Sequence, residues 1–292
     1  MNSREKSRRA EGVVVDRELV LLILVPAVAG PLMSLAGGWM PRRREGPCAT
    51  LAERVRWRDL WMPCVPVAAF VALLMGWAIT EPEHAEAAHG LVAVLATVFT
   101  AVWIRALFRS AWSLLHRSAE PPACTVGLLR PRVCLSKALL DVLDPEAIEA
   151  ARAHEEAHAR HLDPLRLWLG QLVTDLQWPA AAPRERLQAW QRTLELARDE
   201  EARWHGVQGD DLAAAIVAAA RLGPITSDSS VALLGNGSRL RERIRRALAP
   251  LTPPPPKDSG SVHRAIALLV ACLGSAVAGV QLGESLMRML LR

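Results

Sequence analysis

Hydrophobic residues in this chain of 292 residues are concentrated in four long apolar runs, at 19–40, 60–80, 91–108 and 265–282. A run of about 20 apolar residues is long enough to cross the hydrocarbon core of a bilayer as a helix. Pro26 and the pair Gly30-Pro31 are expected to bend the first run. The pattern therefore predicts a mainly α-helical, polytopic membrane protein with four transmembrane helices.

The charges of the connecting segments predict how these helices are oriented. Segment 41–59 contains six arginines, whereas segment 81–89 contains three glutamates and no arginine. Arginine accumulates in cytoplasmic loops, so the first segment is expected inside and the second outside. The basic N-terminal tail favours the opposite orientation. We give the two loops and the arginine-rich segment after the third run more weight.

This topology divides the chain into three parts. Residues 1–108 form an N-terminal tail and three transmembrane helices. Residues 109–263 are numerous enough to fold as a cytoplasmic domain, and they end in a proline-rich linker. Residues 264–292 form the fourth transmembrane helix and a short C-terminal tail. The protein is accordingly expected in the cell membrane as a multi-pass protein in contact with the lipid bilayer.

The middle part is predicted to be mostly helical, with one small β-hairpin formed by 125–129 and 132–135. Ser136 is expected to cap a following helix. Asp144-Pro145 and Asp163-Pro164 each predict a helix start, with Asp as N-cap and Pro at the first helical position. Further helices are expected at 183–205, 211–222 and 238–248.

Composition supports a folded membrane protein. Hydrophobic residues make up 51% of the chain and charged residues 22%, which excludes a disordered chain or a purely cytosolic globule. The net charge is +5, but many arginines flank the apolar runs, so no direct nucleic acid binding is expected. The five cysteines form no C-x-x-C pair. Cys124 and Cys134 are expected as reduced thiols that could face each other across the hairpin.

The helix that begins at Pro145 contains the sequence His154-Glu155-Glu156-Ala157-His158, a match to HExxH. Four residues of helix advance about 6 Å with a rotation of about 40°, so both imidazoles lie on one face and can bind one ion. Neutral imidazoles suit Zn²⁺. In such helices the glutamate after the first histidine acts as a general base for a metal-bound water. Glu155 is therefore the candidate catalytic residue.

A catalytic zinc needs a third protein ligand, and four residues are candidates: His161, Asp163, Glu195 and Glu201. His161 lies one turn beyond His158, where it is poorly placed to share the ion. A glutamate from another helix is the natural choice. Glu195 and Asp199 share a helix face one turn apart, so the first could bind the metal while the second orients a ligand from behind.

On these residues the chain resembles the BlaR/MecR-type membrane zinc metallopeptidases, the antirepressor peptidases of beta-lactam sensing. The matching segments are 127–133, the HExxH at 154–158, Asp163, and 195–200, where Arg198 stands in place of the usual cysteine. The resemblance implies a cytoplasmic gluzincin fold with His154, His158 and Glu195 as zinc ligands and Glu155 as base.

Two features differ from that family. The chain ends ten residues after the fourth run, without the penicillin-binding sensor domain, so antibiotic sensing is not expected. The chain also has no tyrosine, so any donor to an oxyanion must be an arginine, a histidine or the backbone. Arg192, Arg203 and His205 are candidates for this role.

These observations predict an integral-membrane zinc endopeptidase that cleaves a cytoplasmic protein or peptide, by analogy a transcriptional repressor, in a signalling system. Two alternatives stay open. One is an HtpX-like quality-control peptidase, in which alanine normally stands at the position of Arg198. The other is a non-catalytic membrane signalling protein that retains a zinc site.

Overall fold

The computed structural model describes residues 15–16, 23–39, 48–80, 84–85, 90–115, 121–223, 229–251 and 253–254, with the single positions 270, 274, 277 and 281. This part of the chain is mainly helical and contains small two-stranded antiparallel sheets. The predicted fourth transmembrane run at 265–282 lies outside the described residues, apart from those single positions. Most of the proline-rich linker does so too.

The described elements follow one another in this order. A π-helical turn (Val25–Ala29) leads into α1 (Gly30–Trp39), which is followed by α2 (Ala49–Trp61), α3 (Cys64–Thr80) and α4 (Gly90–Leu115). Strands β1 (Val15–Asp16) and β2 (His84–Ala85) pair with each other, as do β3 (Ala123–Val126) and β4 (Arg132–Leu135). The remaining helices are α5 (Lys137–Leu140), α6 (Pro145–Arg160), α7 (Asp163–Leu176), α8 (Ala182–Trp204), α9 (Gly209–Leu222) and α10 (Ser229–Leu248).

The described parts of the first three apolar runs form helices, with one irregularity. The first run is π-helical around Pro26, where the sequence predicts a bend. Among the described residues, one helical stretch is long and apolar enough to cross a membrane: Val94–Trp112, of which 22% is buried. The membrane topology therefore stays a prediction.

Segment 41–59, treated above as a loop, contains most of helix α2. This helix is the main packing partner of α8. Trp57 and Trp61 line a core built from α1, α2, α7 and α8, around Met33, Leu60, Val173, Leu187, Trp190 and Leu194. The arginines of the segment alternate with its buried or partly buried residues, so the hydrophobic pattern gives little indication of this packing face.

Helix α2 also receives its N-terminal cap from a distant residue. Cys48, at the N-cap position, forms no side-chain cap. Instead the carboxylate of Glu200 in α8 accepts hydrogen bonds from the backbone N–H of Ala49 (3.0 Å) and of Thr50 (3.1 Å), and from the Thr50 hydroxyl (3.2 Å). A negative charge at a helix N-terminus is stabilised by the free N–H groups there. Glu200 therefore holds the start of α2 against α8.

Helix α6 lies between two alanine-rich clusters. One joins it to α9 and α10 through Ala150, Leu212, Ala213, Ile216 and Ala247, and the other joins it to α5 and α9 through Leu139, Ala151, Ala215 and Ala218. Small side chains let the helix axes approach closely, which fixes the position of α6 with little bulky core.

The hairpin forms with the strand order that the sequence predicts, although its first strand begins two residues earlier than expected. Cys124 is paired opposite Cys134, and both are free thiols. Gly127 (φ +102°) adopts the left-handed conformation that the turn requires. The Ser136 side chain caps α5 by accepting a hydrogen bond from the N–H of Leu139. Helix α10 begins at Ser229, nine residues before the predicted start.

We expect Glu200→Ala to lower the free energy of unfolding by about 1–2 kcal/mol, because α2 then loses its cap. Denaturant unfolding in detergent, followed by tryptophan fluorescence, measures this. Glu149→Ala is the matched control: this helical glutamate is exposed and pairs with Arg152 at 3.4 Å, so less than about 0.5 kcal/mol should be lost. Equal losses in the two variants would contradict the capping role.

Candidate metal centre

Helices α6 and α8 bring three metal-binding side chains together. The Nε2 atoms of His154 and His158 are 3.2 Å apart. The Glu195 carboxylate lies 3.6 Å from each of them, through Oε2 to His154 and Oε1 to His158. One potential ligand atom from each residue thus lies within 4.8 Å of the others. The two histidines are buried and Glu195 is half-buried, so the group is approached from the side of the glutamate.

This spacing fits a single metal ion. In a tetrahedral zinc site with bonds of about 2.0–2.1 Å, neighbouring ligand atoms are about 3.3 Å apart. The observed separations of 3.2, 3.6 and 3.6 Å lie close to that value. The pair at i and i+4 on α6 supplies two ligands by local geometry, and α8 supplies the third. The residues His154, His158 and Glu195 could therefore hold a metal ion.

Each histidine meets a buried carboxylate at its other ring nitrogen. Nδ1 of His154 lies 2.9 Å from Oδ1 of Asp199, and Nδ1 of His158 lies 2.9 Å from Oδ2 of Asp163. A carboxylate behind a histidine ligand fixes the ring and directs the free Nε2 lone pair towards the metal. The spacing of Asp199 one turn after Glu195 predicts this position behind a histidine ligand. Asp163 fills the corresponding position for the second histidine.

The position of Asp163 before Pro164 predicts that this residue caps α7. In the structure it does not. The N-cap is Leu162, which has the left-handed conformation (φ 53°), and the carboxylate of Asp163 turns inward. There it accepts hydrogen bonds from Arg198 (Nε 2.5 Å, Nη2 3.0 Å) and from Arg166 (Nη1 2.8 Å), and it is fully buried. A buried carboxylate needs such compensation, and this need outweighs the modest gain from capping.

Glu155 lies beside the triad and is held by the hairpin. The hydroxyl of Thr125 in β3 lies 2.8 Å from Oε2 of Glu155 and 2.8 Å from the Glu155 carbonyl oxygen. Its one proton can be donated to only one of them at a time. The contact fixes the carboxylate on the side of α6 that faces the cavity. The sequence predicts Thr125 in the hairpin, but no local pattern in it indicates this contact.

Arg243 of α10 is a further member of the site. Its guanidinium donates to both oxygens of Asp199 (Nε and Nη2, each 2.8 Å) and lies 3.1 Å from Glu195 Oε2. The charged run 239–246 contains five arginines, and nothing in it indicates which one reaches the site. The candidates named from sequence do not line the cavity: Arg192 is exposed, while Arg203 and His205 bond to backbone carbonyls elsewhere.

These neighbours determine the charges of the site. Burial would raise the pKa of Glu195, but Arg243 and the two histidines outweigh it and hold that pKa well below its ordinary value. Burial would lower the pKa of His154, but Asp199 and Glu195 outweigh this effect and raise the pKa to about 9. The carboxylates of Glu195 and Asp199 are thus ionised at neutral pH. A metal ion that binds Nε2 of His154 must displace a proton from that nitrogen.

The two remaining candidate ligands point away from the triad. Nε2 of His161 lies 2.8 Å from Oε2 of Glu201, and Arg160 and Arg198 donate to the same carboxylate (each 3.2 Å). His161 is therefore engaged on the exposed side of α6, one turn beyond His158.

A cavity of about 560 Å³ adjoins the triad. Its walls are mostly apolar and come from β3, α5, α6 and α9, including Ala123, Leu139, Ala215, Ile216 and Ala219. Glu155, Glu195 and Arg243 line it as well. Apolar walls with a few convergent charged groups are typical of a site that binds a substrate.

Comparisons with protein-family models, with characterised proteins and with solved structures find no match to this chain. The resemblance to the BlaR/MecR-type peptidases stays a prediction from the motifs.

The pKa of Asp163 predicts a pH-dependent contribution to stability. Burial would raise this pKa, but hydrogen bonds from His158 and Arg198 outweigh it and hold the pKa well below its ordinary value. A lowered folded-state pKa stabilises the fold above the unfolded pKa of about 4, and this contribution is lost as the pH falls towards the folded pKa. In the metal-free protein, Asp163→Asn should therefore cost about 3–5 kcal/mol at pH 7 and about 1 kcal/mol less at pH 3.

Denaturant unfolding at the two pH values checks this prediction. Glu149→Gln removes an exposed carboxylate and should show little change at either pH. A cost of Asp163→Asn that does not depend on pH would contradict a buried, ionised Asp163.

Proposed function

We propose that this protein is an integral-membrane zinc metallopeptidase that cleaves a protein or peptide on the cytoplasmic side. The observation that carries this proposal is the His154, His158 and Glu195 group with Glu155 beside it, at the edge of a mostly apolar cavity. Two imidazoles and one carboxylate suit zinc and leave a fourth position for water or substrate. A zinc ion there would supply Lewis-acid polarisation of the scissile carbonyl and a water of lowered pKa.

In this proposal each of the protein's side chains at the site has its own role. Asp163 and Asp199 hold the two imidazole rings from behind. Glu155, oriented by Thr125, accepts the proton of the attacking water and returns it to the leaving amine. Arg243, fixed by its two hydrogen bonds to Asp199, offers its guanidinium to the negative charge that develops on the carbonyl oxygen.

Two structural features support attachment to a membrane, and a third bears on the side where the metal centre would lie. Helix α4 has a long exposed apolar surface that includes Val94, Ile104, Leu107 and Phe108, each more than half exposed. A monomeric soluble protein rarely leaves such a surface in water. Helix α3 contains no charged residue over its 17 residues, which is the lower end of the length needed to span. Finally, α2 packs on α8, so segment 49–61 lies on the same side as the metal centre.

The cavity and the hairpin support a peptide as the substrate. An extended peptide can pair with the exposed backbone of a short two-stranded sheet while its apolar side chains enter the cavity. A cytoplasmic protein, by analogy a transcriptional repressor, meets these requirements. Cleavage would then link an event at the membrane to gene expression.

We expect Glu155→Gln to retain bound zinc and to lower peptide cleavage by about 10²–10⁴-fold, because the ligands stay and the base is lost. His154→Ala, His158→Ala and Glu195→Ala should each lose the metal. Elemental analysis of purified protein and hydrolysis of a fluorescence-quenched peptide library measure the two properties.

Glu156→Gln is the matched control for that experiment. Its carboxylate is half exposed on the same helix and lies 3.9 Å from Arg160, away from the triad. It should leave metal content and cleavage unchanged. Full cleavage by Glu155→Gln would overturn the mechanism, and a wild-type protein that binds zinc without cleaving any peptide would support the non-catalytic alternative.

The topology can be tested with cysteines introduced into a variant whose five native cysteines are replaced by serine. Because segment 81–89 is predicted outside, Glu83→Cys should react in intact cells with a membrane-impermeant maleimide. Glu149→Cys, on the exposed face of α6, should react only after the membrane is opened. The reverse pattern would place the metal centre outside the cell.

A further inference from the structure

Glu53 of α2 is a buried carboxylate that the proposed mechanism does not use. Only 3% of the residue is exposed. Its Oε1 accepts a hydrogen bond from Nε1 of Trp190 (2.9 Å) and a short hydrogen bond from Nη2 of Arg166. Burying an ionised carboxylate is costly unless a cation compensates it, so Arg166 makes the burial of Glu53 possible.

Arg166 of α7 connects this carboxylate to the metal centre. While Nη2 bonds to Glu53, Nη1 donates to Oδ1 of Asp163 at 2.8 Å. The guanidinium lies over the rings of Trp57 (4.7 Å) and Trp190 (5.4 Å), which hold it in place. Glu53 and Asp163 thus share one immobilised cation.

Asp163 accepts hydrogen bonds from several donors, and all of them share the single negative charge of its carboxylate. Its two oxygens accept hydrogen bonds from Arg166, from Arg198 and from Nδ1 of His158. The two guanidinium groups compete with the imidazole for the electron density of one carboxylate. The carboxylate of Glu53 neutralises part of the charge of Arg166 and so lessens its pull on Asp163.

We propose that Glu53 is a positioning residue of the metal centre: by balancing Arg166, it keeps Asp163 basic enough to hold His158 as a strong metal ligand. The effect passes along Glu53, Arg166, Asp163 and His158. Partners behind a histidine ligand raise its basicity and thereby the metal affinity. The inference rests on the metal site of the proposed function but does not depend on peptide hydrolysis. Through Glu53, helix α2 contributes to the metal centre although it lies outside residues 109–263.

The test measures the affinity of the full-length protein in detergent for Zn²⁺, and for Co²⁺ as a spectroscopic probe, by competition with a chelator. Glu53→Gln should weaken binding about tenfold, because Arg166 then acts on Asp163 with its full charge. Arg166→Met should bind metal at least as tightly as wild type, because one competing guanidinium is gone. The double variant Glu53→Gln/Arg166→Met should return close to wild-type affinity.

The opposite direction of the two single variants distinguishes charge balance from simple packing. Both substitutions break the same contact between α2 and α7, so a purely structural role predicts weaker binding in both single variants and in the double variant, with a loss in the double variant no larger than the greater single loss. Glu149→Gln makes the same change of net charge at an exposed position of α6 and should leave the affinity unchanged.

Each outcome has a defined meaning. A wild-type protein that binds neither metal overturns the proposed function itself. Metal binding by wild type with unchanged affinity in Glu53→Gln overturns the role of Glu53 alone, and so does weaker binding in both single variants and in the double variant. If a single variant is not recovered folded, the charge-balanced double variant still decides, because a tenfold loss of affinity there contradicts the proposal and an affinity close to wild type supports it.

Discussion

The carboxylate of Asp163 is fully buried and accepts hydrogen bonds from side chains of three different helices: His158 in α6, Arg166 in α7 and Arg198 in α8. A buried charge of this kind persists only when its partners are in place, and each partner in turn is buried at a cost unless the carboxylate is there. The three helices are therefore held in one arrangement. That arrangement also fixes the distance between the HExxH helix and the third ligand, Glu195.

The same constraint explains why an arginine stands at position 198. Arg198 is 1% exposed and places Nε and Nη2 on the two oxygens of Asp163, while Nη1 reaches Glu201. A planar fork of donors suits this bidentate contact better than lysine does. Arg198, which stands where the peptidases that this chain resembles usually have a cysteine, is thus part of the support behind His158. Asp199 and Arg243 form a second carboxylate and arginine pair behind His154, on the other side of the ion site.

Local spacing predicted the parts of the site that depend on one helix at a time. The two histidines of α6, the position of Asp199 one turn after Glu195 and the hairpin all follow from periodicity or turn residues, and the structure has them within a few residues of the predicted bounds. Contacts between distant segments were missed. Segment 41–59 looked like a charged loop because its arginines conceal a helix, and no short-range pattern pairs Glu53 with Arg166 or selects Arg243 from its neighbours.

Helix α2 shows why these distant contacts matter for the candidate metal centre. Its start is capped by Glu200, its middle is tied to Arg166 through Glu53, and its end packs Trp57 on Trp190. Only Met62 and Pro63 separate it from the charge-free α3. A displacement of α3 would strain this short connection, and α2 could not move without disturbing either its cap on α8 or the contact of Glu53 with Arg166. Helix α2 thus connects the position of α3 to the side chains that surround Asp163 behind His158.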